Sequence, residues 1–263
     1  MNQPHLIDAR LELAQSAARA AGAHALGLFH DRASLIIETK HDALDMVSRA
    51  DREAEDIIRA RIAEAFPEDG ILGEEGGAQS GSSGITWVID PIDGTVPFVS
   101  GLPHWCVAIA IQSDHETEAG VNFHPLMDEM FTARRSAGAA LNGTRLRIKD
   151  TLLLSNSLTG IGASHRTTPD HIAEICRKLM EKGGMFYRNG SGALMLAAVA
   201  AGRLGGYYEP HMHPWDCLAG LLLVREAGGQ TLPMPTGAKL AEGGMVLAAA
   251  SGVWPDLAAI TGH

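Results

Sequence analysis

The stretch from Trp87 to Thr95 reads WVIDPIDGT and holds the densest group of candidate site residues in the chain. Its apolar start predicts a short buried strand that delivers Asp90 at its carboxyl end. Asp93 lies three residues further on, and Gly94 allows a ligand to approach the backbone closely. Thr95 is expected to cap a following helix, whose free backbone N–H groups suit an anion. Carboxylates for a hard cation and amides for a phosphate therefore lie close together, which favours a metal and phosphate site over a plain Asp-Pro turn.

Three further acidic residues occupy comparable positions. Glu74 follows the apolar pair Ile71-Leu72, so it leaves a predicted strand end as Asp90 does. Asp216 stands at the start of an apolar helix, where the helix dipole favours a carboxylate. Asp51 opens another predicted helix. Each of the three is by itself also typical of a surface loop or of an ordinary first-turn charge, and the residues alone do not tie Asp51 to the others.

Size and charge limit the class of protein. The 263 residues are 46% hydrophobic and carry a formal net charge of −10. This allows a sizeable core in one large or two fused α/β domains. The negative charge argues against nucleic acid and anionic lipid as partners. It would also repel a phosphate ester, unless a divalent metal held by the acidic residues reverses the local charge.

Cysteine usage and apolar runs bear on the compartment. Cys106, Cys176 and Cys217 lie far apart and form no CxxC pair, so neither a zinc site nor a disulfide framework is expected. The N-terminus has no basic segment followed by an apolar stretch, which predicts no signal peptide. The longest apolar runs, near 193–201 and 218–224, are too short to span a bilayer. We therefore expect a cytoplasmic protein without a membrane partner.

Periodicity and turn residues predict the order of elements. Amphipathic helices are predicted after Pro4 and from Asp51 to Phe66, where Pro67 ends the second helix. Short strands between Trp105 and Ile148, with a hairpin at Asn142-Gly143, predict an antiparallel sheet. The other predicted elements are strands at Ser34–Glu38, Leu158–Ala163, Phe186-Tyr187, Gly206–Glu209 and Met245–Ala250, and helices at Pro169–Lys182, Ser191–Arg203, Trp215–Ala227 and from Trp254 onward.

The second half of the chain differs from the first in pattern. After Leu152 strands and helices alternate, which predicts a mixed or parallel sheet. A single domain spanning 1–263 is therefore expected to have two subdomains. Residues of about 1–151 would hold the metal and phosphate site, and residues 152–263 the substrate side and the Asp216 loop. The Gly- and Ser-rich stretch Gly76–Gly84 is expected to be a flexible loop.

Taken together, these segments resemble the inositol monophosphatase family of lithium-sensitive, magnesium-dependent phosphatases. The family patterns correspond to Gly73-Glu74-Glu75, to Trp87–Thr95, to the WDCLAG stretch Trp215–Gly220 and to the EAGG stretch Glu226–Gly229. The resemblance covers nearly the whole chain. It implies an α/β fold, the layered α/β/α/β/α sandwich, usually in a homodimer. The implied activity is hydrolysis of a small phosphate monoester, inositol monophosphate or a similar polyol phosphate, by metal-activated water and without a phosphoenzyme.

The resemblance also implies roles for individual residues. Two to three magnesium ions are expected, of which a weaker third would involve Glu74 and waters. The other metal ligands would be Glu74, Asp90 and the Ile92 carbonyl for one ion, and Asp90, Asp93 and Asp216 for a second. The remaining implied roles are phosphate binding by Asp93, Gly94 and Thr95; orientation of the attacking water by Glu74 and Thr95; a hydrogen bond between Asp51 and Thr95; and substrate contacts from Arg188–Gly192, Ser191 and Gly192 among them, with Glu209 and Asp216.

Other readings remain open. Ser100–Trp105 has some likeness to histidinol-phosphate phosphatases of the same superfamily, which makes histidinol phosphate the alternative substrate. A 3′-phosphonucleotide phosphatase or a fructose-bisphosphatase is less favoured. A non-catalytic metal-binding regulatory protein of this fold would be expected to lack a ligand, and none is missing here. Val96-Pro97 departs from the family pattern at the start of the phosphate-binding helix. His211 and His213 are expected to be pocket-wall or loop residues, because imidazole suits magnesium poorly.

Overall fold

The computed structural model describes residues 3–31, 37–39, 46–113, 116–164 and 166–263. Within these ranges no helix has both the length and the apolar character needed to cross a membrane. The described α-helices are α1 Gln3–His30, α2 Arg49–Ala65, α3 Thr95–Val99, α4 Pro169–Glu181, α5 Gly192–Ala200, α6 Pro214–Glu226 and α7 Trp254–Thr261. Short 3-10 turns lie at Pro125–Met127, Leu154–Asn156 and Gly237–Glu242.

The described strands form one small and two large sheets. The small sheet pairs β1 Ile37–Thr39 with β2 Met46–Ser48. The larger sheet comprises β3 Gly70–Gly73, β4 Gly77–Gln79, β5 Ile85–Asp93, β6 Cys106–Ser113, β7 Thr117–His124, β8 Glu129–Arg134, β9 Gly138–Leu141 and β10 Thr144–Arg145. Its spatial order is β10-β9-β8-β7-β6-β5-β3-β4. All its neighbours are antiparallel except β3 and β5, which run parallel.

The second large sheet is mixed, as the alternating pattern predicts. It comprises β11 Leu158–Ile161, β12 Met185–Tyr187, β13 Gly206–Met212, β14 Gln230–Thr231 and β15 Gly244–Ala249. The order is β12-β11-β13-β15-β14, in which β12, β11 and β13 are parallel and β15 is antiparallel to both its neighbours.

Helices cover the sheets in layers. α1 and α2 pack on one face of the first sheet, and α5 and α6 lie between the two sheets. α4 and α7 cover the outer face of the second sheet. Close packing between the layers relies on small residues: a Cβ on Gly120 of β7 would lie 2.8 Å from the Cα of Ala219 in α6. The layers therefore follow the order α/β/α/β/α, which confirms the expected sandwich.

A buried ion pair ties α1 to the first sheet. Arg10 donates from Nε and Nη2 to the Asp69 carboxylate, at 2.6 and 2.7 Å. Trp87 Nε1 and Ser83 Oγ also donate to Asp69, at 2.8 and 2.6 Å. Burial by itself would raise the pKa of Asp69, but these hydrogen bonds and the Arg10 charge bring that pKa below its ordinary value.

Two local predictions change. The stretch Gly76–Gly84 is not wholly a loop, because residues 77–79 form β4 and pair antiparallel with β3. Gly77, the first residue of β4, and Gly84, which directly precedes β5, adopt positive φ angles of 63° and 78°, which glycine permits. Of the predicted strand at Ser34–Glu38, residues 37 and 38 belong to β1, and residues 34–36 lie outside the described residues, as do residues 1 and 2.

The boundary expected near residue 152 stays a prediction. The first sheet uses residues before it and the second uses residues after it. However, α6 contacts β6, β7 and β8 of the first sheet as well as β14 and β15 of the second. A helix from the second half of the chain is thus part of the packing of both.

Candidate active site

Three carboxylates meet at one edge of the first sheet. Glu74 follows β3, Asp90 lies on β5, and Asp216 is in the first turn of α6. Each offers an oxygen within 4.8 Å of the others. The parallel pairing of β3 with β5 accounts for the first two, because Gly73 lies opposite Ile89 and the carboxyl ends of parallel strands share an edge. The Glu74 N–H donates to the Ile89 carbonyl at 3.1 Å, which fixes the point where Glu74 leaves the sheet.

All three side chains of this group are acidic, so they repel one another when ionised. Burial raises the pKa of Asp90 well above its ordinary value, and the negative charges of Glu74, Asp93 and Asp216 raise it further. Burial and then the Glu74 charge likewise raise the pKa of Asp216. Buried like charges disfavour the ionised form, whereas a cation between them would restore it. The arrangement therefore suits a hard cation with oxygen ligands.

Asp93 lies beside this group but is engaged elsewhere. Its Oδ2 accepts a hydrogen bond from Ser191 Oγ and another from the Ala193 N–H at 2.8 Å, at the amino end of α5. Burial raises the pKa of Asp93 to about 6, and these hydrogen bonds oppose the rise. The pairing of β5 with β6 is irregular between Asp90 and Asp93, which reorients the strand end. The described metal-ligand cluster accordingly contains Glu74, Asp90 and Asp216 but not Asp93.

Gly94 and Thr95 begin α3 in a different way from that predicted. Gly94 takes the N-cap position with φ of 97°, and Thr95 is the first helical residue instead of the cap. A Cβ on Gly94 would lie 2.6 Å from the His104 carbonyl oxygen, so only glycine fits this turn. Pro97, the departure from the family pattern, falls within the first turn of α3, where a missing N–H is tolerated.

The Thr95 hydroxyl connects α3 to α2. Its Oγ1 lies 3.1 Å from Asp51 Oδ1 and 3.3 Å from the Ile92 carbonyl oxygen. Asp51 is buried at the start of α2. The hydrogen bond that the resemblance implies between Asp51 and Thr95 is therefore present, although the residues alone gave no reason to connect Asp51 with the site.

A polar cavity of about 180 Å³ opens above the carboxylates. Glu209 lies in its wall and accepts a hydrogen bond from the Tyr207 hydroxyl. Burial raises the pKa of Glu209 to about 7, while the Tyr207 hydrogen bond and the Arg188 charge oppose the rise. The sequence-predicted site residues that line the cavity are Glu74, Asp90, Ile92, Asp93, Gly94, Thr95, Ser191, Gly192, Glu209 and Asp216. Asp51 lies behind them and reaches the site through Thr95.

The two histidines near Asp216 do not line this cavity: His211 belongs to β13, and His213 is the N-cap residue of α6. His213 stacks on Trp215 with ring centroids 4.6 Å apart, and its Nε2 lies 2.9 Å from Arg166 Nη2. His211 Nε2 lies 3.0 Å from the Glu242 carbonyl oxygen. Neither belongs to the metal-ligand cluster found among the described residues.

Sequence reasoning missed several residues that shape the site. Glu55 binds the loop that carries Glu75, and Asn122 Nδ2 donates at 2.9 Å to the Ala193 carbonyl at the start of α5. Tyr207 holds Glu209. Only Glu55 had a usable signal, because it lies one helical turn after Asp51 on the otherwise apolar face of its helix.

The chain is similar to known proteins over most of its length. The family model "Inositol monophosphatase family" matches residues 7–261. An inositol-1-monophosphatase of Rhizobium meliloti is 42% identical over 207 residues, which are 77% of each chain. The Nus factor SuhB of Haemophilus influenzae is 38% identical over 251 residues, 94% of this chain and 93% of that one.

A solved structure shows the same fold over almost the whole length. The extragenic suppressor protein suhB of Bartonella henselae superposes with a TM-score of 0.90 at 33% identity and covers 96% of this chain and 98% of its own. With the match of the family model across the chain and relatives at this identity, the chain belongs to the inositol monophosphatase family.

Proposed function

We propose that this protein is a magnesium-dependent phosphatase that hydrolyses a small phosphate monoester, with inositol monophosphate or a similar polyol phosphate preferred. The observation that carries the proposal is the group of Glu74, Asp90 and Asp216, whose carboxylates lie within 4.8 Å of one another at a polar cavity, in a chain of this family. Repulsion between these carboxylates is unfavourable in the metal-free protein. Bound cations would relieve it and would allow an anionic substrate to bind there.

The donor set fits magnesium. Its oxygens are carboxylates, which a hard cation prefers, and the cluster found in the described part of the chain contains no thiolate or imidazole. Two to three ions would be held by Glu74, Asp90 and Asp216, with the Ile92 carbonyl and the second oxygen of Asp93. Bound magnesium supplies Lewis acidity toward phosphate oxygens and lowers the pKa of water.

The residues of the chain then orient the reaction. Gly94 and Thr95 bind the phosphate at the turn into α3. Thr95, held by Asp51, and Glu74 orient a water molecule for in-line attack. The water oxygen bonds to phosphorus as the ester P–O bond breaks, and a proton from the water ends on the leaving alcohol. No phosphoenzyme is required, since Cys106 and Cys217, next to the site, are fully buried thiols with raised pKa values.

The alcohol side of the cavity carries the substrate preference. Glu209 offers a carboxylate acceptor to hydroxyl groups, and Ser191 and Gly192 line the same cavity. A nucleotide would need a stacking aromatic, which is scarce in a chain with 5% aromatic residues. Histidinol phosphate is the alternative, because its ammonium group would also bind Glu209.

A substrate panel tests the proposal. We expect kcat/KM with magnesium to be highest for inositol monophosphate, lower for histidinol phosphate and lowest for a 3′-phosphonucleotide. The change Glu209→Gln should reduce turnover of histidinol phosphate more than that of the polyol, because an ammonium loses a charge pair while a polyol loses one hydrogen bond of several. The exposed Glu242→Gln is the matched control. If histidinol phosphate exceeds the polyol by about tenfold, or roughly 1.4 kcal/mol, the polyol assignment is wrong.

The second candidate is a regulatory role without turnover. It is favoured by the H. influenzae relative, whose name describes a Nus factor and not a phosphatase. A chain acting only in this way would stay folded, by circular dichroism, and release no phosphate from any member of the panel with magnesium present.

The family resemblance adds three expectations to the proposal. Lithium should inhibit turnover by occupying a magnesium position, and unchanged turnover at high lithium would contradict this. A homodimer is expected, and sedimentation at the mass of a single chain of 27.8 kDa would contradict it. A cytoplasmic location is the third, and cell fractionation tests it.

A further inference from the structure

Helix α2 buries two carboxylates on one face. Asp51 and Glu55 are 1% and 2% exposed and lie one turn apart, beside the buried Ile58. Glu64 on the same helix is exposed. A buried carboxylate on an apolar helix face is costly unless it is bound by charged or polar partners. Asp51 has the Thr95 hydroxyl, and the partners of Glu55 lie on the loop that carries Glu74.

Glu55 binds this loop through both oxygens. Its Oε2 accepts from the Glu75 N–H at 2.9 Å, and its Oε1 accepts from the Gly76 N–H at 2.9 Å. Arg59 Nε donates to the same Oε1 at 2.6 Å. Arg59 Nη2 also donates to the Gly77 carbonyl at 2.6 Å, so the pair clamps the loop from both sides.

The glycines around Glu74 are explained by this carboxylate. A Cβ on Gly73 would lie 2.2 Å from Glu55 Oε1, and a Cβ on Gly76 would lie 2.7 Å from it. Neither distance is possible between non-bonded atoms. The Gly-Glu-Glu-Gly sequence therefore leaves space on both sides of the two glutamates for the Glu55 carboxylate.

We propose that Glu55 is a positioning residue: it holds the loop after β3 so that the Glu74 carboxylate points at Asp90 and Asp216. Asp51, one turn earlier, holds Thr95 in the same way. Helix α2 thus aligns the two groups that would orient the attacking water. This inference rests on the proposed function, because the position of Glu74 matters only if the site binds metal.

The experiment compares Glu55→Gln with the matched control Glu64→Gln on the exposed side of the helix. Glutamine keeps the size of the side chain, but its single oxygen can serve only one of the two loop amides, and its charge for Arg59 is lost. Hydrogen exchange of the peptide covering residues 73–77 reports loop order in the metal-free protein. Calorimetry with magnesium chloride reports affinity without turnover.

We expect Glu55→Gln to speed exchange in this peptide and to weaken magnesium binding by about tenfold or more, as loss of a partner behind a metal ligand does. Glu64→Gln should change neither. Turnover of Glu55→Gln at saturating magnesium should recover a larger fraction of the wild-type rate than at limiting magnesium. If Glu55→Gln does not fold, Arg59→Gln is expected to change exchange and affinity in the same direction by a smaller factor.

The outcomes separate this inference from the proposed function. If the wild type binds no magnesium, the proposed function fails. If the wild type binds it and the folded Glu55→Gln binds it equally well, Glu55 serves only stability and the inference is overturned.

Discussion

The surroundings of the buried carboxylates differ between the two ends of β3 and β5. At the amino end, Asp69 is surrounded by Arg10, Ser83 and Trp87, and its pKa is lowered. At the carboxyl end, Asp90 lies beside other acids and its pKa is raised well above the ordinary value. At one end of this pair of parallel strands the buried carboxylate therefore has hydrogen-bond and charge partners within the fold. At the other end the buried carboxylates repel one another, and a bound cation would relieve that repulsion.

This difference separates a site that stabilises the fold from the candidate binding site. A buried carboxylate with a bidentate arginine is part of the packing, and removing either partner leaves an unpaired charge. A group of carboxylates that repel one another destabilises the metal-free fold, and such groups are typical of sites that bind a ligand. Changes at the carboxyl end should therefore reduce activity more than stability, and changes at the amino end should reduce stability more than activity.

The largest effect is expected from Asp90→Asn. Loss of the central carboxylate should lower kcat/KM by at least about a hundredfold, because metal ions contribute several kcal/mol of charge stabilisation at about 1.4 kcal/mol per factor of ten. The free energy of unfolding in a chelator should stay equal or rise, since one of several repelling charges is removed. Phosphate release and urea denaturation measure the two quantities. Wild-type turnover in this variant would contradict the assignment of the site.

Asp69→Asn should show the reverse. The variant leaves Arg10 buried without its charge partner, so the free energy of unfolding should fall by about 3 kcal/mol. The value of kcat/KM per folded molecule should stay close to that of the wild type. Urea denaturation and an assay well below the unfolding transition check this. A loss of activity comparable to that of Asp90→Asn in a stable protein would show that the two ends are not independent.

In the metal-free protein, the pH dependence of the free energy of unfolding should distinguish Glu209 from Asp69. Glu209 has a pKa of about 7 in the folded state against an ordinary value of 4.5, so the folded state holds the proton more tightly. Its contribution is present at low pH and is lost as the pH rises from about 4.5 to about 7, by up to roughly 3 kcal/mol. Asp69 acts with the opposite sign, and its contribution is lost as the pH falls below about 4.

Two variants test which residue causes each decline in this pH profile. Glu209→Gln should make the decline between about pH 4.5 and 7 less steep, and the part that remains comes from Asp90, Asp93 and Asp216, whose pKa values are also raised. Asp69→Asn should weaken the decline on the acid side. Denaturation in a chelator at a series of pH values gives both profiles. An unchanged slope above pH 5 in Glu209→Gln would mean that Glu209 titrates normally in the folded protein.

The smallest effect is expected from Ser83→Ala. It removes one hydrogen bond to Asp69 and leaves Arg10 and Trp87 in place. The free energy of unfolding should fall by about 1 kcal/mol with kcat/KM unchanged. A loss as large as that of Asp69→Asn would mean that the hydroxyl, and not Arg10, is the main partner.

Much of the candidate site was predictable from local pattern. Apolar runs that end at Asp90 and at Glu74 identify strand ends, and an acid at the start of an apolar helix identifies Asp216. The family resemblance then supplied their grouping. The prediction for Thr95 as a cap was wrong, because Gly94 can adopt the positive φ that the turn needs and takes that position.

The sequence by itself determined the residue types at the strand ends, the order of the helices and strands, and the membership of a family. Only the tertiary structure decided which carboxylates meet and which are satisfied. Asp93 is bound by Ser191 of the second half of the chain, and Glu55 is bound by the loop at Glu75. The physical reason is that a pKa or a metal site depends on burial and on partners within a few ångströms. Such partners are brought together by the packing of layers and not by spacing along the chain.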